Sequence, residues 1–374
     1  MQGIVSALPF FIVLTTIVFI HELGHFLIAR HYNVQVKTFS IGFGPKLFGW
    51  TDKKGTQWRL SAFPLGGYVM MLGDADASST RAKLDGLDDD AIARTLTGKT
   101  PFQRMMVAFG GPLFNILLTL LLFAGIGRFK GIPDMVPRVQ EVLAHSLASK
   151  AGLKKGDIIS GVNDIAVTKV SEMKKALKSY SGQDATLHYK RGGKSLQSAV
   201  ALYETKADGQ KTPLSLLGVT LNGNRIYEKV SVLKALGYGA TYCYEAARGL
   251  LVGLGRTISG QKDGAKLGSF LMIGDGAQKS FSSGGVDFLL YMAMISFSLG
   301  FINLFPIPVL DGGNILLNFI EIVIRRPLSS VFVNIVSLGG VGLVAALMMW
   351  SVWNDLDRYG VIKGIVDFFK KLFH

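Results

Sequence analysis

The stretch His21-Glu22-Leu23-Gly24-His25 closes an apolar run that spans Ile4–Ile20 and continues beyond the motif to Ala29. On a helix turning about 100° per residue, His25 lies roughly 40° from His21, and Glu22 roughly 100° from it. One face then carries two imidazoles four residues apart with a carboxylate beside them. Two neutral nitrogens at one-turn spacing suit zinc, and the Glu is placed to take a proton from water. The setting sharpens this reading. A run this long and apolar predicts a membrane span, where ionisable side chains are costly and functional.

Composition bounds the rest. The chain has 374 residues, 49% of them hydrophobic, and a mean hydropathy of +0.36, which is high for a soluble protein. Besides the first run, Met105–Gly127, Phe288–Leu310 and Pro327–Asn354 are each long enough to cross a bilayer. The expectation is a polytopic α-helical membrane protein with about four spans. A net charge of +14 raises nucleic-acid binding, but the basic residues are spread over loops without stacking aromatics, which argues against it. Near spans they set topology and meet anionic lipid. The single cysteine, Cys243, excludes an internal disulfide and a cysteine-based zinc site. No basic leader precedes the first run, so it is expected to be an uncleaved span.

Along the chain, Arg30, Lys37, Lys46, Lys53, Lys54 and Arg59 follow span one and place that loop in the cytoplasm. Within it, Val34–Val69 alternates as strands do and turns at Asp52–Gly55. Read sharply, it is a β element leaning into the membrane beside the metal, able to pair with an extended substrate. Asp74–Asp90 is acidic and loop-like. In span two, Pro112 frees a carbonyl that Asn115 is expected to help satisfy. From Val136 to Tyr203 the composition becomes soluble, and the strand order with Ala151–Asp157 (AGLKKGD) resembles a bacterial PDZ domain, an α/β module. Val230–Ile258 carries Lys234, Glu245, Arg248 and Arg256 and reads as an amphipathic interfacial helix pair. The tail at Arg358–His374 reads as an amphipathic interfacial helix as well.

A second motif, Asn303–Gly313 (NLFPIPVLDGG), ends span three. Pro306 and Pro308 must break helical hydrogen bonding there, which leaves Asp311 an acid at a broken helix in need of a cation or a hydrogen-bond partner. With four spans, the soluble insert lies outside, and spans one and three both run inward. His21, His25 and Asp311 then fall at comparable depth toward the cytoplasm, and Arg325 and Arg326 support that orientation. Two His and one Asp leave a fourth position open, the catalytic rather than the structural zinc pattern.

HELGH in span one, Gly111–Asn115 (GPLFN) in span two, the PDZ-like insert and NLFPIPVLDGG in span three together resemble the site-2 protease family of intramembrane zinc metalloproteases. The match is to its bacterial RseP-like branch, with a single PDZ domain. The resemblance implies that His21, His25 and Asp311 hold Zn2+, that Glu22 is the general base, and that Asn303 with Pro306 and Pro308 helps hold substrate. By the same likeness, Gly42–Pro45 and Pro64–Val69 form a membrane-associated β-hairpin region, with Gly42, Phe43 and Gly44 among the substrate-binding residues.

The expected organisation is a first span with the zinc motif (1–30), a cytoplasmic β-rich loop (31–100) and a second span (101–128). An extracytoplasmic PDZ domain (136–204) and amphipathic helices with a linker (205–286) follow. The third span with its motif (287–320), a fourth span (327–353) and an amphipathic tail (354–374) complete the chain. The expected substrates are transmembrane proteins such as pre-cleaved anti-sigma factors or signal-peptide remnants, in contact with lipid in a bacterial inner membrane. The PDZ-like domain is expected to restrict their entry. A transporter would also place His, Glu and Asp in spans but should show internal repeats, and none is visible. A PDZ scaffold would tolerate loss of Glu22 or Asp311.

Overall fold

The computed structural model describes residues 2–73, 88–205, 211–213, 217–259 and 270–358. Residues 74–87 of the acidic stretch and 359–374 of the tail lie outside them. The chain falls into two compact units, one formed by Met1–Gly125 with Leu236–His374 and the other by Ile126–Ala235.

The chain opens with α1 (Gln2–His31), β1 (Val36–Thr51), β2 (Gln57–Met71), the short α2 (Asp89–Ala93) and α3 (Pro101–Phe129). It goes on through β3 (Ile132–Met135), β4 (Val139–Val142), α4 (Leu147–Lys150), β5 (Ile158–Val162), β6 (Ile165–Ala166) and α5 (Val170–Ser179). The strands β7 (Asp184–Arg191), β8 (Lys194–Ala201), β9 (Tyr203–Thr205), β10 (Lys211–Pro213), β11 (Val219–Leu221) and β12 (Arg225–Glu228) follow. Among the described residues, α6 (Val232–Ile258), α7 (Phe270–Ser283), α8 (Gly285–Asn303), α9 (Asp311–Ile324) and α10 (Ser330–Arg358) follow.

Within α1, α3, α8 and α10 lie four helical stretches long and apolar enough to cross a membrane: Leu8–His31, Pro101–Phe129, Gly285–Asn303 and Val331–Trp353. The third stops at Asn303 rather than at Leu310, because a residue before proline is driven out of the α region and Pro306 and Pro308 follow closely. The pair of helices expected across Val230–Ile258 is one continuous helix, α6. Its charged residues interrupt the hydropathy but not the backbone hydrogen bonding, and the segment contains no proline.

Inside the first unit, α1 is wedged between two apolar clusters. Phe26 and Ala29 pack with Val36 and Phe39 of β1, Val69 of β2 and Val107 of α3. Val13 and Ile17 pack with Ala277 of α7 and Phe288 and Met292 of α8. The approach of α1 to α3 is set by two glycines. A Cβ on Gly24 would collide with the Gly110 carbonyl, and a Cβ on Gly110 would lie 2.6 Å from the Gly24 carbonyl oxygen. Helix backbones come this close only where side chains are missing.

The strands β1 and β2 do more than form a simple hairpin. Thr38–Ile41 has Gln57–Leu60 as Cα partners on one side and Gly67–Met70 on the other, while Lys46–Thr51 pairs with Gln57–Ser61. The ribbon thus bends into four lanes, with Gly67–Met71 as an outer lane against α1. Its far turn is anchored by Asp52, which accepts hydrogen bonds from Arg30 at 2.5 Å, the Trp58 indole at 3.1 Å and the Lys54 and Thr56 amides at 2.9 and 3.1 Å. Burial pushes the Asp52 carboxyl up, but these donors outweigh it and hold it down to about 2, against an ordinary 3.8. A depressed folded-state pKa means stability that is fully present above the unfolded value and lost as pH falls through the folded one. Asp52→Asn should therefore cost on the order of 1–2 kcal/mol at neutral pH. That deficit should shrink between about pH 4 and pH 2, and chemical unfolding of both proteins across that range measures it.

In the second unit, four antiparallel strands run in the order β6-β5-β7-β8. Helix α5 turns Val170, Met173, Ala176 and Leu177 inward at helical spacing. There Met173, Ala176 and Leu177 meet Ile159 and Leu187 of the sheet. Asp157, 1% exposed, accepts hydrogen bonds from Nε and Nη2 of Arg191, both at 2.8 Å.

Candidate metal centre

The site assembles where α1, α3 and the break between α8 and α9 meet. His21 and His25 come from one face of α1, as their spacing requires, with ring centroids 4.8 Å apart. Asp311 reaches both: its Oδ2 lies 3.2 Å from His21 Nε2 and its Oδ1 lies 3.4 Å from His25 Nε2. One ligand atom from each of the three residues fits within 4.8 Å of the others. Zinc bonds of about 2.0–2.2 Å to nitrogen and oxygen need a cluster of this span.

The chain delivers Asp311 by a turn rather than a helix. Leu310 N–H donates to the Ile307 carbonyl at 3.0 Å, with Pro308 second in the turn and Val309 third at φ +87°. Proline then a positive φ is the type II pattern, whose third position favours glycine; a β-branched residue there is strained. Helix α9 starts immediately after it, at Asp311. Gly312 and Gly313 let the loop fold back onto that helix: a Cβ on either would strike backbone carbonyls of the loop, those of Leu304 and Phe305 or that of Ile307.

A third glycine opens the centre itself. A Cβ on Gly111 of α3 would collide with His25 Nε2 and lie 2.6 and 2.7 Å from His21 Cε1 and Nε2. The absent side chain leaves room at the two nitrogens that face Asp311. With a two-His, one-Asp donor set, this room fits a zinc ion.

Around these ligands, His25 Nδ1 lies 2.8 Å from the Val107 carbonyl. That contact requires a proton on Nδ1 and turns the Nε2 lone pair inward. Asn303 Nδ2 is 3.3 Å from His21 Nε2, so this residue borders the metal ligands themselves. Asn115 was expected to tend a free backbone carbonyl; instead its Nδ2 lies 3.2 Å from His21 Nδ1. Its own carbonyl is capped by the hydroxyls of Thr119 at 3.0 Å and Ser296 at 2.8 Å.

Glu22 points toward the sheet lane beside α1. The Val69 amide hydrogen-bonds its carboxylate, and a Cβ on Gly67 would meet Glu22 Cγ at 3.4 Å. Gly42, Phe43 and Gly44 sit at the bend of β1, where Phe43 stacks on Tyr68 with centroids 6.0 Å apart. Gly67 and Val69 of the outer lane meet Glu22. Sequence reading passed over Gly67 and Gly111 as site residues and gave the Asn115 side chain a different task. The small pair Gly110-Gly111 inside an apolar run was the available signal, and it read equally well as helix packing.

Comparison with known proteins finds relatives along nearly the whole chain. A protein of Mesorhizobium japonicum named "Putative zinc metalloprotease" is 35% identical over 360 residues, covering 94% of this chain and 98% of that one. Metalloprotease MmpA of Caulobacter vibrioides is 31% identical over 381 residues, covering 94% and 96%. The PDZ domain of the SdrC-like protein from Listeria monocytogenes aligns with 25% of this chain and 88% of its own, at 23% identity and a TM-score of 0.18. The model of Peptidase family M50 matches residues 9–347, nearly the whole chain. With HELGH on α1 and Asp311 at the start of α9 converging on one centre, the chain belongs to peptidase family M50, the site-2 protease family, and is a zinc metalloprotease.

Proposed function

We propose that this enzyme hydrolyses peptide bonds within or next to transmembrane segments of membrane proteins. The observation that carries the reading is placement. Two of the three proposed ligands, His21 and His25, lie inside Leu8–His31, a helix apolar enough to cross a membrane. Asp311 follows another such helix across a proline break. In this reading the four apolar helices span a bacterial inner membrane, and the centre faces its cytoplasmic side.

His21, His25 and Asp311 would hold the zinc. When bound there, zinc supplies Lewis acidity, polarising the scissile carbonyl and making water a nucleophile near neutral pH. Glu22 accepts the proton of the attacking water and passes it to the departing amine. Its hydrogen bond to Val69 N–H holds the carboxylate in place for this transfer. A helical substrate has its carbonyls engaged and must unwind locally. The lane Gly67–Val69 runs beside Glu22, and an extended segment could pair along it by strand addition. Asn303, 3.3 Å from His21 Nε2, is placed to hold the backbone of that segment at the bond to be cut. The partners proposed are single-span proteins already trimmed outside the membrane, such as anti-sigma factors or signal-peptide remnants.

The test is a reporter with one apolar span between two soluble tags, incubated with purified enzyme in detergent or liposomes, with the products mapped by mass. Cuts inside or at the edge of the span are expected. Cuts confined to the soluble tags would refute the intramembrane reading.

A further inference from the structure

We propose that Asn115 is a positioning residue for the metal centre, fixing the tautomer and orientation of His21; this rests on the reading of His21 as a zinc ligand. The two histidines differ in what holds their outer nitrogens. His25 Nδ1 faces the Val107 carbonyl at 2.8 Å, an acceptor that settles its tautomer. Among the described residues, no backbone carbonyl stands behind His21. Its Nδ1 faces the Asn115 amide at 3.2 Å.

Asn115 is fully buried and pinned between helices. Thr119 and Ser296 hydroxyls hold its backbone carbonyl at 3.0 and 2.8 Å, and Gly300 of α8 faces it closely, since a Cβ built there would lie 3.0 Å from the Asn115 Cβ. Despite this confinement, its side-chain Oδ1 is buried without a hydrogen-bond partner. Buried amide oxygens are rarely left so.

The two ends of an amide have nearly the same shape, and the hydrogen-bond network decides between them. With Nδ2 toward His21, the ring must accept at Nδ1 and carry its proton on Nε2, the atom 3.2 Å from Asp311 Oδ2. Such a ring cannot ligate through Nε2. Turned over, Oδ1 accepts the Nδ1–H of His21, the orphaned oxygen gains a partner, and the Nε2 lone pair faces Asp311 and His25. Both histidines then share one device: an oxygen behind each ring, a lone pair in front. In both cases the oxygen comes from α3, so that helix orients both rings donated by α1.

The experiment measures zinc affinity of the full-length protein in detergent, by competition with a chromophoric chelator, for wild type, Asn115→Leu and Asn115→Asp. Melting of the three chelator-stripped proteins accompanies it. Leu offers no acceptor and should weaken zinc about 10–100-fold, whereas Asp, an acceptor at either end, should stay within about threefold of wild type. Wild-type affinity in the Leu variant, or an equal loss in Leu and Asp, would overturn the proposal. If Leu melts far below wild type without zinc, the Asp variant decides alone: affinity near wild type supports an acceptor role, and a tenfold or greater loss contradicts it. A wild-type protein that binds no zinc would instead overturn the ligand reading beneath the proposal.

Discussion

Glu22→Gln should lower the cleavage rate about 10²–10⁴-fold, the range general-base catalysis supplies, while zinc per chain stays at the wild-type level. The replacement keeps the shape of the side chain and an oxygen that can still accept from Val69 N–H, so the outer sheet lane keeps its anchor on α1. What it removes is the ability to take up a proton. His21, His25 and Asp311 form their cluster without Glu22, so the metal should remain. Initial rates on a single-span reporter, with zinc determined on the same samples, check both halves of this statement. Full turnover by the variant would exclude Glu22 as the base, and loss of zinc along with activity would make it a ligand instead.

The second large effect belongs to a residue that does no chemistry. Gly111→Ala should weaken zinc binding by about 100-fold or more, beyond the range of a disturbed outer contact. The new methyl would collide with His25 Nε2 and come within 2.7 Å of His21 Nε2, the two atoms that must point at the metal. It cannot swing away, because a Cβ has no rotamer. Relief would come from turning the two imidazoles aside, which takes both Nε2 atoms off the metal, or from α3 retreating from α1, a distance that the Gly24–Gly110 crossing fixes. Gly125→Ala on the same helix is the control, since a Cβ there meets nothing within 4 Å. Chelator competition on both variants should show the loss at Gly111 alone. Equal affinities would mean that α3 gives way more easily than this packing allows.

Much of the site was legible because its parts are local. The one-turn spacing of His21 and His25 is a property of any helix, and Pro306 and Pro308 announce the break that presents Asp311 at the start of α9. Run length and missing charge sufficed for the apolar helices. What escaped depends on how distant segments cross. The Asn115 side chain meets His21 only because Gly24 and Gly110 let α1 and α3 touch, and its spacing in α3 says nothing of that. The lane Gly67–Met71 lies beside Glu22 because each strand of the ribbon bends and pairs twice, whereas alternation in the sequence indicates only a strand and its faces. In α6, the charges at Lys234, Glu245, Arg248 and Arg256 divided the hydropathy into two halves. A helix needs only an unbroken backbone, and that segment has one.

The most direct measurement of the central claim is zinc per chain in purified wild type and Asp311→Ala, after dialysis against a weak chelator. The claim is that residues nearly three hundred positions apart in the sequence, His21 and Asp311, hold one ion. It predicts about one zinc per wild-type chain and almost none in the variant, since two histidines alone complete only half of a tetrahedral shell. Equal zinc in both proteins would contradict it, placing the metal elsewhere and leaving Asp311 as a hydrogen-bond partner of the two histidines.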